Sequence, residues 1–483
     1  MGKYYLGFDA GTQSVKVAVY NEMMECVSQF STPTTLVYPQ AGWVEMDVEE
    51  YLQAAVKSIK LCTDDMKNKG LNPEEIRCIF GDGVIEGIAG VDENCKAITP
   101  YINYLDSRTK EDASNLAGLG LDIWAKETGN PEPKCMFPAM FARWILKNSE
   151  EFRTRGCKFL HNAPYILSNL AGLKAEETCI DWGTLSGWGL GYRIMDKKWS
   201  DEQLEILKID KKYLPKIVKP WDIIGHLTKE YADKTGLKEG TPICAGGGDT
   251  MQSMIGCGVT KAGTAADVAG TCAMFCIATN GIVPELSKPE NNLIFNSGTL
   301  ENTYFYWGFI RTGGLALRWF RDNICGRVGE GKYFDKLNEK AKEVKPGANG
   351  VTFIPYLTGG FNELKDASGA FLNLTMDTEQ GVLWRAVLEA IGYDYMGITD
   401  ICKKAGMDLE QITITEGGSR SEVWNQIKAD MENRKMVTLQ TAQGAVMTNA
   451  ATAAFAVGDI NDLQKAFEDS LVVKKFMSLI KTM

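Results

Sequence analysis

The sequence predicts an α/β protein built from two similar domains, and three observations carry that expectation. The chain has 483 residues, too many for one ordinary hydrophobic core and enough for two or three domains. A strand–turn–strand pattern occurs twice about half a chain apart. FDAGTQSVKVAV at 8–19 is matched by AADVAGTCAMFCIA at 265–278, with Ala-Gly-Thr at 10–12 and again at 269–271, the mark of two similarly built units. Glycines also recur where a strand runs into a helix, at Gly246-Gly247-Gly248 and at Gly417-Gly418, a place where helix amides meet anionic groups. The expected division is residues 1–245 and 246–483.

Composition narrows the function. Hydrophobic residues make up 45 % and charged residues 24 % of the chain, which excludes disorder and fibres. A net charge of −10 argues against nucleic acid as a partner, because phosphate neutralisation needs clustered Lys and Arg. Thirteen cysteines lie scattered without a pairing framework and read as reduced core thiols of a cytoplasmic protein. Only two histidines, His161 and His226, exist, so a histidine zinc site or a Ser-His-Asp triad has little to work with. The N-terminal MGKYYLGFDAG enters a strand without an apolar leader, and no run of 18 apolar residues occurs, so neither a signal peptide nor a membrane span is expected.

Taken in order, Tyr4 to Phe8 and Val15 to Tyr20 are strands flanking Asp9-Ala-Gly-Thr-Gln-Ser14. Amides near Gly11, with Thr12 and Ser14, suit a phosphate cradle, and Asp9 suits a magnesium ion; a plain polar hairpin turn is the other reading. Val48 to Met66 has helical spacing. Ile76 to Gly90 is a strand leading through Gly81, Gly83 and Gly87 to a turn that carries Glu86, and Pro100 to Leu105 is a strand closing on Asp106-Ser-Arg108. The acid and arginine there read either as sugar-binding groups or as an exposed ion pair. Thr241 to Ala245 ends a strand before the three glycines, and Asp249 opens a helix, either as an ordinary N-cap or as a functional carboxylate whose ionised form the helix amides favour. Val382 to Lys404 is a core helix. Ile412 to Thr415 is a strand running into Glu416-Gly-Gly-Ser-Arg-Ser421, and Ala442 to Val457 is a small-residue helix suited to packing on a sheet or an adenine plane.

DAGTQSVK at 9–16, YLDSR at 104–108, GGGDT at 246–250, AGT at 269–271, IPYLTGG at 354–360 and EGGSRSEVWNQIKAD at 416–430 together resemble the ordered motifs of the FGGY carbohydrate kinases, overall most like their xylulose kinase branch. That resemblance implies two ribonuclease-H-like domains of the actin and sugar-kinase type, with ATP in the cleft between them. It implies that Asp249 is the general base that takes a proton from a sugar hydroxyl attacking the γ-phosphate, and that Asp9 is the magnesium-associated acid. By the same resemblance Gly11, Thr12, Gln13, Ser14 and Lys16 form the first phosphate turn, and Gly270 and Thr271 the second. Gly314, Gly417, Gly418 and Ser419 match the nucleotide-contacting turns, and Glu86, Asp106 and Thr250 fall where family members contact substrate.

The implied function is ATP- and Mg²⁺-dependent phosphorylation of a small sugar or polyol, a ketopentose such as xylulose. A kinase for another polyol or sugar-like signal molecule of the glycerol, ribulose or erythritol type, a non-catalytic sugar-binding regulator and an actin- or chaperone-type ATPase are the alternatives, and a homodimer is left open. The chain departs from the family pattern at Ile85-Glu86, where xylulose kinases carry Met-His and glycerol kinases Arg-Glu. It departs again at Cys272-Ala273, at Gly359–Glu363 and at Gly444–Ala451. Asp249 is expected to be ionised at neutral pH, as an ordinary aspartate of pKa about 4 would be.

Overall fold

A computed structural model describes residues 2–270, 273–310, 312–357, 359, 366–439, 444–471 and 473–477. The chain divides into two compact units: residues 1–256, 295–304 and 443–470 form the first, and residues 257–294, 305–442 and 471–483 the second.

In the first unit, strands β1 (Tyr4–Ala10) and β2 (Ser14–Asn21) form a hairpin, β3 (Cys26–Pro33) extends it, and β4 (Ile76–Gly83) lies parallel to β1 on the other side. Strands β5 (Ile223–His226) and β6 (Pro242–Cys244) complete the far edge of this sheet, in the order β5-β6-β4-β1-β2-β3. β1 is buried on both faces, which is why YYLGFDA is a nearly continuous apolar run rather than an alternating one. Leu6, Phe8 and Ala10 point to one face. There they meet Tyr51, Leu52, Ala55, Ile59 and Cys62 of the helix Val48–Asn68, whose apolar positions recur at three- and four-residue spacing. Asp47 caps that helix by accepting the Glu49 amide, and Glu49 and Glu50 in its first turn complement the dipole.

The opposite face is covered by the helix Ala445–Ala456, whose Val446, Ala450, Ala453 and Ala454 pack on Tyr5, Ala18, Cys78 and Phe80. Contact is close enough that a Cβ on Gly7 would stand 2.3 Å from the Val446 carbonyl oxygen. The expected division at 245/246 therefore differs from the compact units. The first unit runs on to Gly256, and residues 443–470 join it because this small-residue helix is the second cover of its sheet. Of the two surfaces suggested for that helix, the sheet is the one it packs on.

The second unit repeats the plan. Strands β7 (Thr264–Ala269) and β8 (Ala273–Thr279) form an antiparallel hairpin flanked by β9 (Tyr304–Ile310), while β10 (Gln411–Thr415) lies parallel to β7, followed by β11 (Met436–Leu439) and β12 (Val473–Met477). In both units the repeated Ala-Gly turn joins the hairpin whose first strand pairs in parallel with the strand carrying the next glycine-rich end. At the centre of this sheet the Asp267 carboxylate receives an ion pair from Lys428 and a hydrogen bond of 2.6 Å from the Tyr395 hydroxyl, all three buried. No helix among the described residues is long and apolar enough to cross a membrane.

Candidate active site

The glycine triplet acts through backbone geometry. Gly246 has φ +95°, the left-handed region that side chains disfavour. Gly247 and Gly248 then run parallel to the end of β4, pairing with Asp82 and Gly83. A Cβ on Gly248 would meet Ile85 at 2.3 Å, so a side chain there would push the chain out of register. This delivers Asp249 to the first position of the helix Asp249–Gly256, where its Oδ1 accepts the Thr250 amide (2.5 Å) and the Thr250 hydroxyl (3.1 Å). Strand register sets the neighbours, since Asp9 of β1 lies opposite Asp82 of β4 on one side and Lys16 of β2 on the other.

Asp249 keeps partial access to solvent although protein atoms crowd around it. Its pKa is raised to about 7, first by burial and then by the charge of Asp9, against the hydrogen bonds from Thr250. The expectation of an ordinary, fully ionised aspartate is thereby corrected: desolvation outweighs the helix-end hydrogen bonding. Burial likewise raises Asp9, against contributions from Asp82 and Lys16. Asp82, fully buried, is raised further by burial and by the charges of Asp9 and Asp249. Asp9 Oδ1 and both oxygens of Asp82 have no well-formed hydrogen bond to a fixed donor, and the two carboxyls lie close enough to interact with each other and with the Asn449 side chain.

Glu86 is buried in the turn after β4, and its pKa is pushed up to about 8 by burial and then by Asp249, with Lys134 opposing. It is a neutral acid at pH 7, able to donate as well as accept. Below it, buried His161 hydrogen-bonds the Ile85 carbonyl oxygen through Nε2 at 3.0 Å, and desolvation lowers its pKa to about 3. It serves as a neutral prop for the turn. Asp106 and Arg108 form a buried pair rather than an exposed one. Asp106 accepts the Val44 amide (2.6 Å) and the Arg108 amide, Nε and Nη2 (2.8, 3.0 and 2.8 Å), while the guanidinium lies 3.7 Å from the Trp43 ring centre and 4.7 Å from that of Trp144. Both Asp106 oxygens are thus engaged by the chain itself.

The remaining expected residues fall into two groups. In the first turn Gly11 N–H donates to the Ser14 carbonyl (3.1 Å), closing the hairpin, with Thr12, Gln13, Ser14 and Lys16 all at least partly exposed. In the second unit Gly314 N–H donates to the Gly270 carbonyl at 3.0 Å, and a Cβ on Gly418 would stand 2.3 Å from Ala269 Cβ. Gly270, Gly314, Gly417, Gly418 and Ser419 are therefore gathered at one end of β7 and β10. Glu416 enters this turn with φ +59° and ψ −159°, a strained backbone of the kind that functional turns retain. Ser419 Oγ donates to the Glu416 carbonyl at 2.7 Å. Thr271 and Cys272 lie outside the described residues, as do residues 360–363. Sequence reasoning did not single out Asp82, Lys134 or Asn449; the Gly-Asp-Gly at 81–83 held the only local signal for Asp82.

Oxygen chemistry of this kind fits a hard cation: Asp9 and Asp82 offer buried carboxylate oxygens that the chain does not use. No group of three or more His, Cys, Asp or Glu among the described residues is gathered as a metal centre.

Comparison with known proteins identifies the family. Residues 4–256 match the N-terminal domain of the FGGY family of carbohydrate kinases, and residues 265–457 match its C-terminal domain. The chain is 28 % identical to a gluconokinase of Bacillus subtilis (strain 168) over 95 % of its own length and 89 % of the relative's. It is 26 % identical to a xylulose kinase of Staphylococcus xylosus over 93 % and 90 %. The crystal structure of a xylulose kinase from Rhodospirillum rubrum shares the fold, with a TM-score of 0.88 at 23 % identity over 99 % of this chain and 95 % of that one.

Proposed function

The chain belongs to the FGGY family of carbohydrate kinases and is a carbohydrate kinase, and within that family we propose that it phosphorylates a hydroxyl of a small sugar or polyol, a ketopentose of the xylulose type, with Asp249 as general base. The observation that carries this reading is Asp249 itself: a carboxylate with partial solvent access, held at the start of a helix by Thr250, beside Asp9, and with a pKa of about 7. A base poised near working pH is the one best matched to removing a hydroxyl proton.

The other residues supply binding and position. Glu86, neutral at pH 7, donates a hydrogen bond to a substrate hydroxyl without adding negative charge near Asp249. Asp106 shapes the same region through its brace to Arg108 and Val44 and reaches substrate only by trading one of those bonds, and Thr250 holds the base. Gly11, Thr12, Gln13, Ser14 and Lys16 hold phosphate through backbone amides, hydroxyls and one ammonium. In the second unit Gly270 and Thr271 do likewise, and Gly314, Gly417, Gly418 and Ser419 form the surface for the nucleoside. Asp9 would hold a magnesium ion, which when bound would supply positive charge against the phosphates.

The test is ADP release over a panel of ketopentoses, glycerol and other polyols, and gluconate. At least one substrate should turn over, and Asp249→Ala should lower kcat by about 10³-fold, in the range of a lost general base. Turnover persisting in that variant would remove Asp249 from the role. Selective turnover of gluconate would replace the ketopentose with the sugar acid that one relative's name records.

A further inference from the structure

Three side chains of the first unit meet at one buried spot near the candidate base, and a fourth lies beside the backbone that flanks it. Asp82 and Asp9 face each other from paired positions of β4 and β1. Asn449, on the helix Ala445–Ala456, donates its Nδ2 to the Phe8 carbonyl at 2.8 Å and acts on the Asp82 carboxyl through its side chain. Gln252, on the helix Asp249–Gly256, lies over Gly247, the residue paired with Asp82, so that a Cβ on Gly247 would come within 3.0 Å of its Nε2. Asp82, Asn449 and Gln252 are fully buried. Six of their polar atoms, with Asp9 included, lack a well-formed hydrogen bond to a fixed donor or acceptor: Asp9 Oδ1, both oxygens of Asp82, Asn449 Oδ1, and Gln252 Oε1 and Nε2; the two carboxyls themselves lie close enough to share a proton, with the Asn449 side chain beside them.

An unsatisfied buried amide oxygen is costly, and two facing buried carboxylates without a cation are costlier. Such a gathering of orphaned atoms asks for a ligand, and five of the six are oxygens. Two carboxylates with two amide carbonyls are the donor set of a hard cation and are foreign to thiophilic metals. Asp9 remains partly open to solvent while Asp82 is sealed, so an ion would enter past Asp9.

We propose that Asp82, Asp9, Asn449 Oδ1 and Gln252 Oε1 form a buried all-oxygen site that holds a divalent cation in the nucleotide-free protein. The inference rests on the reading that Asp9 faces the metal of the phosphotransfer site. It adds Asp82 and the two amides as ligands supplied by the chain, so that the ion is protein-bound before any phosphate arrives.

The experiment is a titration of nucleotide-free protein with Mn²⁺ alone at pH 8, read by loss of the free-ion electron paramagnetic resonance signal and, separately, by the melting temperature. The wild-type protein should bind one ion with a dissociation constant of about 1 mM or below and melt higher in its presence. Asp82→Asn and Asp9→Asn should each weaken binding by about tenfold or more, and Asn449→Leu by a smaller factor. Cooperative melting of each variant without metal shows that it folds. A wild-type protein that binds no ion at millimolar Mn²⁺ would overturn the proposal and leave a shared proton as the compensating charge. Asp82→Asn binding within about twofold of wild type would overturn it as well. Turnover in the sugar panel reports on phosphotransfer alone: ion binding without turnover keeps this site and removes the kinase mechanism, and turnover without nucleotide-free ion binding does the reverse.

Discussion

At Glu86 and Asp249 the same force, burial of a carboxylate, produces two different tools. Asp249 is raised to about 7 and Glu86 to about 8, so near neutral pH one is divided between acid and base and the other is still protonated. The rate should follow. Because the base acts only when ionised and Glu86 donates only when protonated, kcat/KM is expected to rise through about pH 7 and to fall again as Glu86 ionises through about 8, a bell read directly from initial rates between pH 5.5 and about 9. Glu86→Gln keeps a neutral donor and acceptor of the same length, so it should hold kcat/KM at pH 7 within about tenfold, whereas Glu86→Ala strips a buried partner and should lose about 1–3 kcal/mol of binding. Equal losses in both variants would mean that the ionised form is the working one. His161 gives the turn its fixed height, and its lowered pKa keeps this prop neutral across the whole active range.

Among the elements, the helix Ala445–Ala456 has the most exacting seat. A Cβ on Gly7 would press on a backbone carbonyl at 2.3 Å and on Asn449 Cβ at 2.9 Å, and neither can turn aside as a flexible side chain would. Gly7→Ala should therefore lift the helix from the sheet and cost about 1–3 kcal/mol. Gly444→Ala, one residue before the same helix, meets no atom within 4 Å at φ −70° and should change stability by less than about 0.5 kcal/mol. Thermal denaturation of the two variants side by side checks the contrast. This element also shows where sequence reading stops. The two Ala-Gly turns, the glycine triplet and the helix beginning at Val48 were legible because turn, triplet and helical spacing are local chemistry. Asp82 was not, because the residues that define it lie at 9, 247 and 449 and meet only through strand register and helix docking. Asp106–Arg108 stayed open between sugar-binding groups and an exposed pair for the same reason: Trp43 and Trp144, which bury the guanidinium, come from far along the chain.

Across the whole molecule the buried acids set a direction for stability against pH. Burial raises Asp181 and Asp394 to about 6, Asp249 and Glu432 to about 7 and Glu86 to about 8. A carboxyl raised in the folded state binds its proton more tightly there than in the unfolded chain. Its contribution is complete below the unfolded pKa of about 4 and is lost as pH climbs through the folded value. His161 runs the other way, since its folded pKa of about 3 is depressed, and stability from it is lost only as pH falls below about 6.5. Above pH 6.5 that opposing contribution is complete, and ionisation of Asp249, Glu432 and Glu86 is left to act in one direction. A net charge of −10 adds self-repulsion of the same sign. With divalent ions chelated, the melting temperature should therefore fall between pH 6.5 and 8.5, by the equivalent of about 1–3 kcal/mol. The double variant Glu86→Gln, Glu432→Gln should flatten that fall by removing two of the three ionisations. A wild-type melting temperature that rises over this interval would show that these carboxyls are already ionised in the folded chain, and would take away with them the neutral Glu86 on which the proposed substrate contact depends.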